Sequence, residues 1–278
     1  MASHRLLTRV CEVIGKPRLL RWTRRAAHLS RVIANKTHLL LFYVHWGVPP
    51  APEWQDQFTS MYMMWERLRQ AFWVERGCAT LLALAENDRI LELCCGDGFY
   101  TRYFYSGRGS RVTAVDFSSD AIAYAREYNS APNITYELGD IREGLPEGEF
   151  DAVVWNGAIE HFTPKEIDEI VAAIRERLRP GGILCGYTVA AVGDDIQLVH
   201  HEYEFRSKED LLRFLTPRFA NAKVFETVWP AVPPFPEGGK RHNLYFFASD
   251  GVLPFDDEWS AVVRSTLDAV RGAPAIDL

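Results

Sequence analysis

Two glycines and two aspartates follow three successive apolar segments, at spacings that suit a nucleotide-like ligand. Gly96 and Gly98 let the backbone take positive φ and let a flat ligand lie against the main chain, which a Cβ would obstruct. Asp116 stands 20 residues beyond Gly96, where a carboxylate at a strand end accepts both hydroxyls of a ribose. Asp140 and Ile141 end the third segment and suit the amino group and ring face of adenine. The pattern predicts a site for a nucleoside-containing ligand.

The residue three positions after Gly98 argues against a nicotinamide or flavin as this ligand. Dinucleotide-binding turns carry G-x-G-x-x-G, whose third glycine lets a helix pack closely, and here that position is Thr101. The structural alternative for Asp116 and Asp140 is helix capping, because acids are favoured at helix N-termini. For Glu92, inside the first apolar segment, the alternative is orientation of the glycine turn. We expect cofactor contact for both aspartates, since the surrounding motifs decide.

Three histidines are candidates for the general base that a hydroxyl acceptor would use near neutral pH. His161 follows the fourth predicted strand and is expected just above the ligand, whereas His200 and His201 lie in the loop after the fifth. A hydrogen bond to the glycine turn is the alternative for His161, and a solvated loop is the alternative for the pair. A metal-assisted enzyme would carry a carboxylate cluster where this chain has Asn156, so we predict no metal.

Short apolar runs alternate with helical patterns in the middle of the chain, which is typical of a parallel sheet covered on both faces. The predicted strands here are 89–94, 111–115, 134–138, 150–155 and 182–188. The predicted helices are one or two within 54–84, then 99–106, 118–129 and 164–178. Past 206 we predict a helix capped by Ser207, strands at 222–228 and 242–248, and a helix over 254–272. The fold class is therefore α/β, a doubly wound and mostly parallel sheet.

Five motifs at these strand ends resemble those of the class I S-adenosylmethionine-dependent methyltransferases. They stand in the family's order and at its usual spacing, over roughly residues 85–190. The motifs are Glu92-Leu-Cys-Cys-Gly96-Asp-Gly98, Val115-Asp116-Phe117-Ser118, Gly139-Asp140-Ile141, Phe150-Asp151-Ala-Val-Val-Trp-Asn156 with Glu160-His161-Phe162, and Leu178-Arg-Pro-Gly-Gly-Ile183. Each motif is a weak signal alone, and the ordered set carries the resemblance.

The resemblance implies a Rossmann-like sheet of seven strands, the last antiparallel, with S-adenosylmethionine as cofactor. The methionine part would lie over Gly96 and Gly98, and the backbone near Asn156 would close that end. Asp116 would hold the ribose, while the adenine would contact Phe117, Ile141 and, through its amino group, Asp140. The implied cofactor-binding residues are Glu92, Cys94, Gly96, Gly98, Asp116, Phe117, Asp140, Ile141 and Asn156.

The segment after the fourth strand bears on the acceptor. Methylases of exocyclic or amide nitrogens carry Asn-Pro-Pro-Tyr or a near relative there, and residues 156–159 lack the prolines and the aromatic residue. Segments 205–212 and 241–249 look like the closing part of bacterial methyltransferases of glycan and natural-product pathways. We therefore expect methylation of a hydroxyl oxygen of a sugar, glycan or small metabolite. The alternatives are carbon or nitrogen methylation of a lipid, quinone or secondary metabolite, and a non-catalytic cofactor-binding scaffold.

The first 36 residues are strongly basic, with nine Lys/Arg against Glu12 alone, although the whole chain has a net charge of −6. Apolar residues recur at helical spacing through this segment, at Leu19, Trp22, Ala26, Leu29 and Ile33. The pattern predicts a basic amphipathic helix that either packs on the domain or rests on an anionic membrane surface. Nucleic acid is a weaker partner, because the remainder of the chain is acidic and repels phosphate.

Residues 38–48 are apolar but much shorter than the roughly 20 residues of a spanning helix. They are expected to form a buried strand or core helix, or an interfacial segment. We divide the chain into a basic and apolar extension at 1–48, a methyltransferase domain at 49–250 and a helical tail at 251–278. The five cysteines lack metal-ligand spacing and suit a reducing compartment, so we expect a cytoplasmic protein, peripheral to a membrane if the extension binds one.

Overall fold

The structure is a computed structural model, and it describes residues 2–48, 57–68, 71–191, 201–230 and 240–254. The chain divides into two compact units, Met1–Glu53 and Trp54–Leu278, and each is described by itself. Three predicted features lie outside the described residues: His200, the domain boundary at the prolines after 48, and nearly all of the helix over 254–272.

Two helices make up the described part of the N-terminal unit, α1 (Ala2–Ile14) and α2 (Lys16–Gly47). Gly15 separates them at a φ of +84°, a conformation that favours glycine. The predicted amphipathic helix is confirmed and is longer than expected. The alternative of a buried strand at 38–48 is wrong, because no proline or glycine interrupts α2 before Gly47 and Leu40 and Tyr43 are largely exposed. Within the described parts of the chain, no helix is long and apolar enough to cross a membrane.

Seven strands form one sheet in the order β3-β2-β1-β4-β5-β7-β6. They are β1 (Asp88–Leu93), β2 (Gly109–Asp116), β3 (Ile134–Leu138), β4 (Phe150–Asn156), β5 (Leu178–Ala190), β6 (Asn221–Pro230) and β7 (Lys240–Ser249). All neighbours pair in parallel except β7, which runs antiparallel to β5 and to β6. The predicted doubly wound, mostly parallel sheet is confirmed. Its strand order reverses between β1 and β4, which is where open α/β sheets bind their ligands.

Helices cover both faces of the sheet and pack on it in two large hydrophobic clusters and a smaller one under α5. The helices are α3 (Gln57–Leu68), α4 (Phe72–Leu81), α5 (Ser119–Tyr128), α6 (Pro164–Arg177) and α7 (Lys208–Leu215). Leu91 and Leu93 of β1 belong to the core beneath α6 and α7, whereas Ile90, just before Leu91, belongs to the core beneath α4. Successive side chains of a strand point to opposite faces, so Glu92 shares the α4 face with Ile90.

The predicted elements differ from the observed ones mainly at their ends. Strand β5 starts at Leu178, four residues before its predicted start, because the segment through Gly182 continues to pair with β4 after an irregular step in register. Residues Thr101–Tyr105, inside the predicted helix 99–106, form a π-helical turn in which Ser106 N donates to Thr101 O at 2.9 Å. Such turns are rare and frequently stand at functional sites.

Candidate functional site

The turn after β1 is an unusual stretch of backbone. Three of its residues have positive φ: Cys94 at +54°, Gly96 at +55° and Gly98 at +73°. Cys94 is not a glycine, and such residues adopt this region only when their surroundings hold them there. Cys95 N donates to Val115 O at 3.0 Å, which ties the turn to the end of β2. The turn is therefore fixed by its neighbour strand as well as by its own glycines.

The two glycines of the turn meet different surroundings. A Cβ on Gly96 would have nothing within 4 Å, so open space lies over this residue. A Cβ on Gly98 would lie 2.4 Å from the hydroxyl of Tyr136, which is buried and donates to Asn129 O at 2.8 Å. Gly98 is thus required by packing inside the protein. Gly96 is the position that leaves room for a ligand against the main chain.

Asp116 holds the glycine turn and the start of α5 together. Its Oδ2 accepts a hydrogen bond from Gly96 N at 2.9 Å, and its Oδ1 accepts one from Ser118 N at 2.9 Å. The residue is buried, and the N-cap of α5 is Ser118, whose hydroxyl accepts from Ala121 N. The predicted capping alternative is therefore partly realised by Asp116. Its carboxylate nevertheless stands at the end of β2, where the resemblance places the ribose of the cofactor.

Glu92 is a buried acid beneath the same turn. Its Oε2 accepts a hydrogen bond from Thr101 Oγ1 at 2.5 Å, within the π-helical turn. Burial raises the pKa of Glu92 to about 8, with smaller contributions from Asp97 and Asp116, while Thr101 and Arg76 oppose the shift. Glu92 thus ties β1 to the chain that follows the turn, as its structural alternative predicts.

The predicted adenine contacts lie at the ends of β2 and β3. Phe117 is half exposed, at 51%, and Ile141 is buried. The carboxylate of Asp140 is paired with the guanidinium of Arg142, with Nε to Oδ1 at 2.9 Å and Nη2 to Oδ2 at 2.6 Å. The hydrogen bonds from Arg142 lower the pKa of Asp140. Asp140 is therefore ionised and oriented before any ligand arrives.

Asn156, at the end of β4, is part of a buried polar network on the α4 face. Its Nδ2 donates to Thr80 Oγ1 at 2.8 Å and to the hydroxyl of Tyr105 at 2.6 Å. Its main-chain oxygen accepts a hydrogen bond from Arg76 Nη2. The side chain thus joins β4 to α4 and to the π-helical turn, and the main chain provides the connection to Arg76.

Arg76 of α4 is a site residue that the sequence did not reveal. Its guanidinium carbon lies 4.7 Å from the ring centroid of Tyr100 and 4.9 Å from that of Tyr187, a stacked cationic arrangement. Its Nε is buried and has no hydrogen-bond partner among the described residues. A single arginine within a helical pattern gives no sequence signal. Only the fold shows that this cation lies at the carboxyl end of β4.

Two of the three predicted catalytic histidines come together with a glutamate. The imidazole rings of His161 and His201 lie 5.0 Å apart between centroids, edge to face. One potential ligand atom from each of Glu160, His161 and His201 lies within 4.8 Å of the others. Glu160 and His201 are buried, while His161 is exposed. The third histidine, His200, lies outside the described residues.

The cluster is anchored by bonds to β5 and to the following loop. Glu160 Oε2 accepts from Thr188 Oγ1 at 2.9 Å, and Glu160 O accepts from Glu202 N at 2.9 Å and from Tyr203 N at 3.1 Å. On its other side, His201 Nδ1 lies 2.8 Å from Glu204 Oε1. Glu160 belongs to a motif that carried no predicted role for it, and Glu204 was not predicted as a site residue. The signal for both was their spacing from the histidines.

The electrostatic surroundings of the Cys94 thiol show that the carboxyl ends of β2, β3 and β4 lie close together. Burial raises its pKa well above the usual value, and the nearby carboxylates of Asp116, Asp140 and Glu160 raise it further. These acids come from the ends of β2, β3 and β4, so their charges meet at the first residue of the glycine turn. The site is therefore an acidic edge with a turn at its centre. Cys94 itself stays protonated there and is not a nucleophile.

Comparison with known proteins agrees with this arrangement. Residues 90–182 match the family described as Methyltransferase domain, a span that includes the glycine turn, Asp116, Asp140 and the Glu160-His161 pair. Residues 90–182 therefore correspond to a methyltransferase domain, which supports the resemblance to the class I S-adenosylmethionine-dependent methyltransferases. The matched span begins in β1 and ends within β5, so it contains the parallel core of this methyltransferase domain.

Curated relatives share the same central region. An uncharacterised methyltransferase of Synechocystis sp. is 36% identical over 104 residues, covering 37% of this chain and 47% of the relative. A fatty-acid O-methyltransferase of Mycolicibacterium smegmatis is 30% identical over 141 residues, covering 50% of this chain and 49% of the relative. The cyclopropane-fatty-acyl-phospholipid synthase of Escherichia coli is 29% identical over 117 residues, covering 42% and 30%. The chain spans less than half the length of each of these relatives.

Solved structures share the fold of the methyltransferase domain. A protein from Bacillus halodurans, described as a methyltransferase, superposes with a TM-score of 0.50 and 19% identity over 63% of this chain and 99% of the other. The phosphoethanolamine N-methyltransferase 2 of Haemonchus contortus superposes with a TM-score of 0.50 and 17% identity over 61% of this chain and 50% of the other. At these identities the comparison concerns the architecture of the sheet and its helices.

Proposed function

We propose that this protein is an enzyme that transfers the methyl group of S-adenosylmethionine to a hydroxyl oxygen of its acceptor. The observation that carries the proposal is the location of the Glu160, His161 and His201 cluster. It lies at the carboxyl end of β4 and β5, on the acidic edge that also holds the glycine turn. One side of the edge then holds the cofactor, and the other holds the acceptor.

The residues at the glycine turn fit the cofactor. Space is open over Gly96, and the buried carboxylate of Asp116 stands at the end of β2 where a ribose would lie. Arg76 offers a buried Nε that suits the carboxylate of the methionine part. S-adenosylmethionine, when bound, supplies an electrophilic methyl group on a positively charged sulfur. Acidic side chains around the site favour such a cation over a neutral or anionic ligand.

The acceptor side must hold a hydroxyl and take up its proton. Glu160 is fixed by a hydrogen bond from Thr188 before any substrate binds, and His201 is held by burial beside Glu204. His161 is exposed and can meet an incoming molecule. This combination of two held groups and one accessible group suits a polar oxygen better than a carbon nucleophile.

The class of acceptor has two candidates. The sugar or glycan predicted from the sequence rests on the likeness of segments 205–212 and 241–249 to glycan-pathway enzymes. A lipid acceptor, methylated at oxygen or at carbon or nitrogen, is favoured by relatives named a fatty-acid O-methyltransferase and a cyclopropane-fatty-acyl-phospholipid synthase. A non-catalytic scaffold is disfavoured, because the acids and the glycine turn of the cofactor side are all in place.

The surface of α2 supports the lipid candidate and a peripheral membrane location. Five large apolar residues stand along one face of this helix with 53% or more of their surface exposed: Trp22, Leu29, Ile33, Leu40 and Val44. Their spacing of seven and four residues keeps them on one side. Basic residues surround this face in a segment with nine Lys/Arg and one acid. Such a helix lies in the interface of an anionic bilayer, with its apolar face inward.

The enzymatic proposal is tested by separating cofactor binding from turnover. We expect the wild-type protein to bind S-adenosylhomocysteine in calorimetry and to transfer label from methyl-labelled cofactor to hydroxylated acceptors, fatty acids among them. The variants His161→Ala and His201→Ala should bind S-adenosylhomocysteine normally and lose most turnover. The matched control is His242→Ala on β7, which also removes a histidine beside a glutamate, since His242 Nδ1 lies 2.6 Å from Glu226 Oε1 on β6. Full activity of the double variant would remove the cluster from the mechanism, and cofactor binding without turnover on any acceptor would favour the scaffold.

The membrane proposal is tested by flotation with vesicles. Full-length protein should float with vesicles rich in phosphatidylglycerol and remain in solution with phosphatidylcholine alone. A variant with Trp22, Leu29 and Ile33 replaced by serine should no longer float. The control variant replaces Leu138 and Val252, which are 56% and 96% exposed in the other unit. If full-length protein never floats with anionic vesicles, the amphipathic helices have another role.

A further inference from the structure

We propose that Glu160, His161 and His201 form a binding site for a divalent transition-metal ion such as Zn²⁺. The sequence predicted no metal, because Asn156 stands where a metal-assisted enzyme would carry carboxylates. The cluster instead consists of residues that follow β4 and β5, which only the fold brings together. It provides one carboxylate and two imidazoles, the ligand types that zinc and related divalent ions prefer.

The distances within the cluster suit one ion. Its ligand atoms lie within 4.8 Å of one another. Atoms that share a zinc ion each lie about 2.0–2.2 Å from it, so no two of them are farther apart than about 4.4 Å. The spacing in the cluster therefore exceeds this limit by at most about 0.4 Å. Three protein ligands leave a coordination position open, as in catalytic zinc sites.

The surroundings of the cluster resemble the outer shell of a metal site. A ligating histidine usually directs its other nitrogen at a carboxylate, which fixes the ring and its tautomer. His201 Nδ1 is buried 2.8 Å from Glu204 Oε1, in a contact that is not aligned as a hydrogen bond, so a carboxylate lies beside this ring without fixing its tautomer. Glu160 is oriented by a hydrogen bond, because Thr188 donates to its Oε2. Each buried ligand thus has a polar neighbour of the kind found around metal sites.

A bound ion would lower the pKa of the acceptor hydroxyl, which must lose its proton when it accepts a methyl group. An oxygen bound to a divalent ion loses its proton far more readily than a free hydroxyl, and the proton passes to bulk water. The deprotonation of the acceptor by a bound ion rests on the proposed methyl transfer. The metal site itself does not, because an ion can bind whether or not the chain methylates an acceptor. The two ideas can therefore fail separately.

The binding experiment uses full-length untagged protein stripped with a chelator and then titrated with Zn²⁺ and Co²⁺. We expect one ion per chain in calorimetry, visible absorption of the cobalt form, and a rise in melting temperature with Zn²⁺. Glu204→Gln should weaken zinc binding by roughly 10–100-fold, the usual effect of losing an outer-shell partner. Glu160→Gln and His201→Ala should weaken it further. His242→Ala, which removes a His–Glu pair on β7, should bind zinc as the wild type does.

Two results would overturn the proposal. One is a folded wild-type protein that takes up no Zn²⁺ or Co²⁺. The other is equal binding by the wild type and by His161→Ala, an exposed substitution that should not disturb folding, since the ion then binds elsewhere. S-adenosylhomocysteine titrations of the same samples identify the separate case in which the cofactor site fails and the metal site stands.

Discussion

The two sides of the sheet's carboxyl edge are assembled in different ways. The side over β1, β2 and β3, with Gly96, Asp116 and Asp140, uses residues from one continuous part of the chain, each placed directly at a strand end. The side over β4 and β5 combines Arg76 of α4, Glu160 after β4 and His201 after β5. A local motif reveals the first kind of site. The second kind exists only after the chain has folded, because its members are distant in sequence.

The largest expected effect is a loss of stability on substitution of Gly98, which should exceed the loss on substitution of Gly96. Gly98→Ala should lower the free energy of unfolding by about 2–5 kcal/mol, because it adds left-handed strain and forces a Cβ to 2.4 Å from the Tyr136 hydroxyl. Gly96→Ala adds only left-handed backbone strain and should lower the free energy of unfolding by about 1–2 kcal/mol. Denaturant unfolding measures both values.

The affinity of the Gly96→Ala variant for S-adenosylhomocysteine provides the control for the stability measurements. Gly96→Ala, whose Cβ enters the open space over the turn, should bind S-adenosylhomocysteine poorly while it remains folded. Normal affinity in this variant would mean that the open space over Gly96 does not hold the cofactor, and the division between the two glycines would be lost.

The next effect concerns Glu92, where the two sides meet beneath the turn. Its pKa of about 8 in the folded protein lies above its ordinary value of 4.5, so the folded state keeps this proton to higher pH than the unfolded state does. The free energy of unfolding should therefore fall by a few kcal/mol between about pH 4.5 and pH 8 and then level off. Thermal melts across this range measure the slope.

Glu92→Gln provides the comparison for that slope. The amide cannot ionise, so the stability of this variant should change less with pH, and the variant should gain on the wild type between about pH 4.5 and pH 8. Parallel profiles of variant and wild type would show that Glu92 is ionised in the folded state at neutral pH.

A smaller effect is expected for Asp116→Ala. Loss of a charged hydrogen-bond acceptor should weaken S-adenosylhomocysteine binding by about 1–3 kcal/mol in calorimetry. Asp116→Asn keeps an acceptor oxygen and should recover part of this affinity. Because Asp116 also holds Gly96 N and Ser118 N, the melting temperature is measured alongside. Unchanged affinity in a folded alanine variant would contradict the ribose assignment.

The smallest effect is expected for Arg142→Met. The pair with Asp140 is at the surface, with the Arg142 side chain 49% exposed, so its loss should cost less than about 1 kcal/mol of stability. The pKa of Asp140 should rise towards its ordinary value, because Arg142 is the group that lowers it. Carboxylate titration by NMR measures that shift. A large loss of stability would show that the end of β3 is more than a surface loop.

The sequence predicted the fold of the cofactor side well. The strands around the turn were placed within a few residues, and the prediction of a seven-stranded, mostly parallel sheet is confirmed. The reason is local: apolar runs of strand length, glycines and strand-end acids are all recognisable without knowledge of distant contacts. The same local reasoning failed at 38–48, where an apolar run was also compatible with a strand and a helix continued instead.

The sequence by itself determined the class of fold, the superfamily and the residues of the glycine turn, because each depends on neighbours along the chain. Only the tertiary structure decided that Gly98 serves packing against Tyr136 and that Asp116 holds the turn. It also decided that Glu160, His161 and His201 form one cluster with Arg76 at the same end of the sheet. The physical reason is that parallel pairing brings the ends of strands far apart in sequence to one edge, and no local pattern records which side chains meet there.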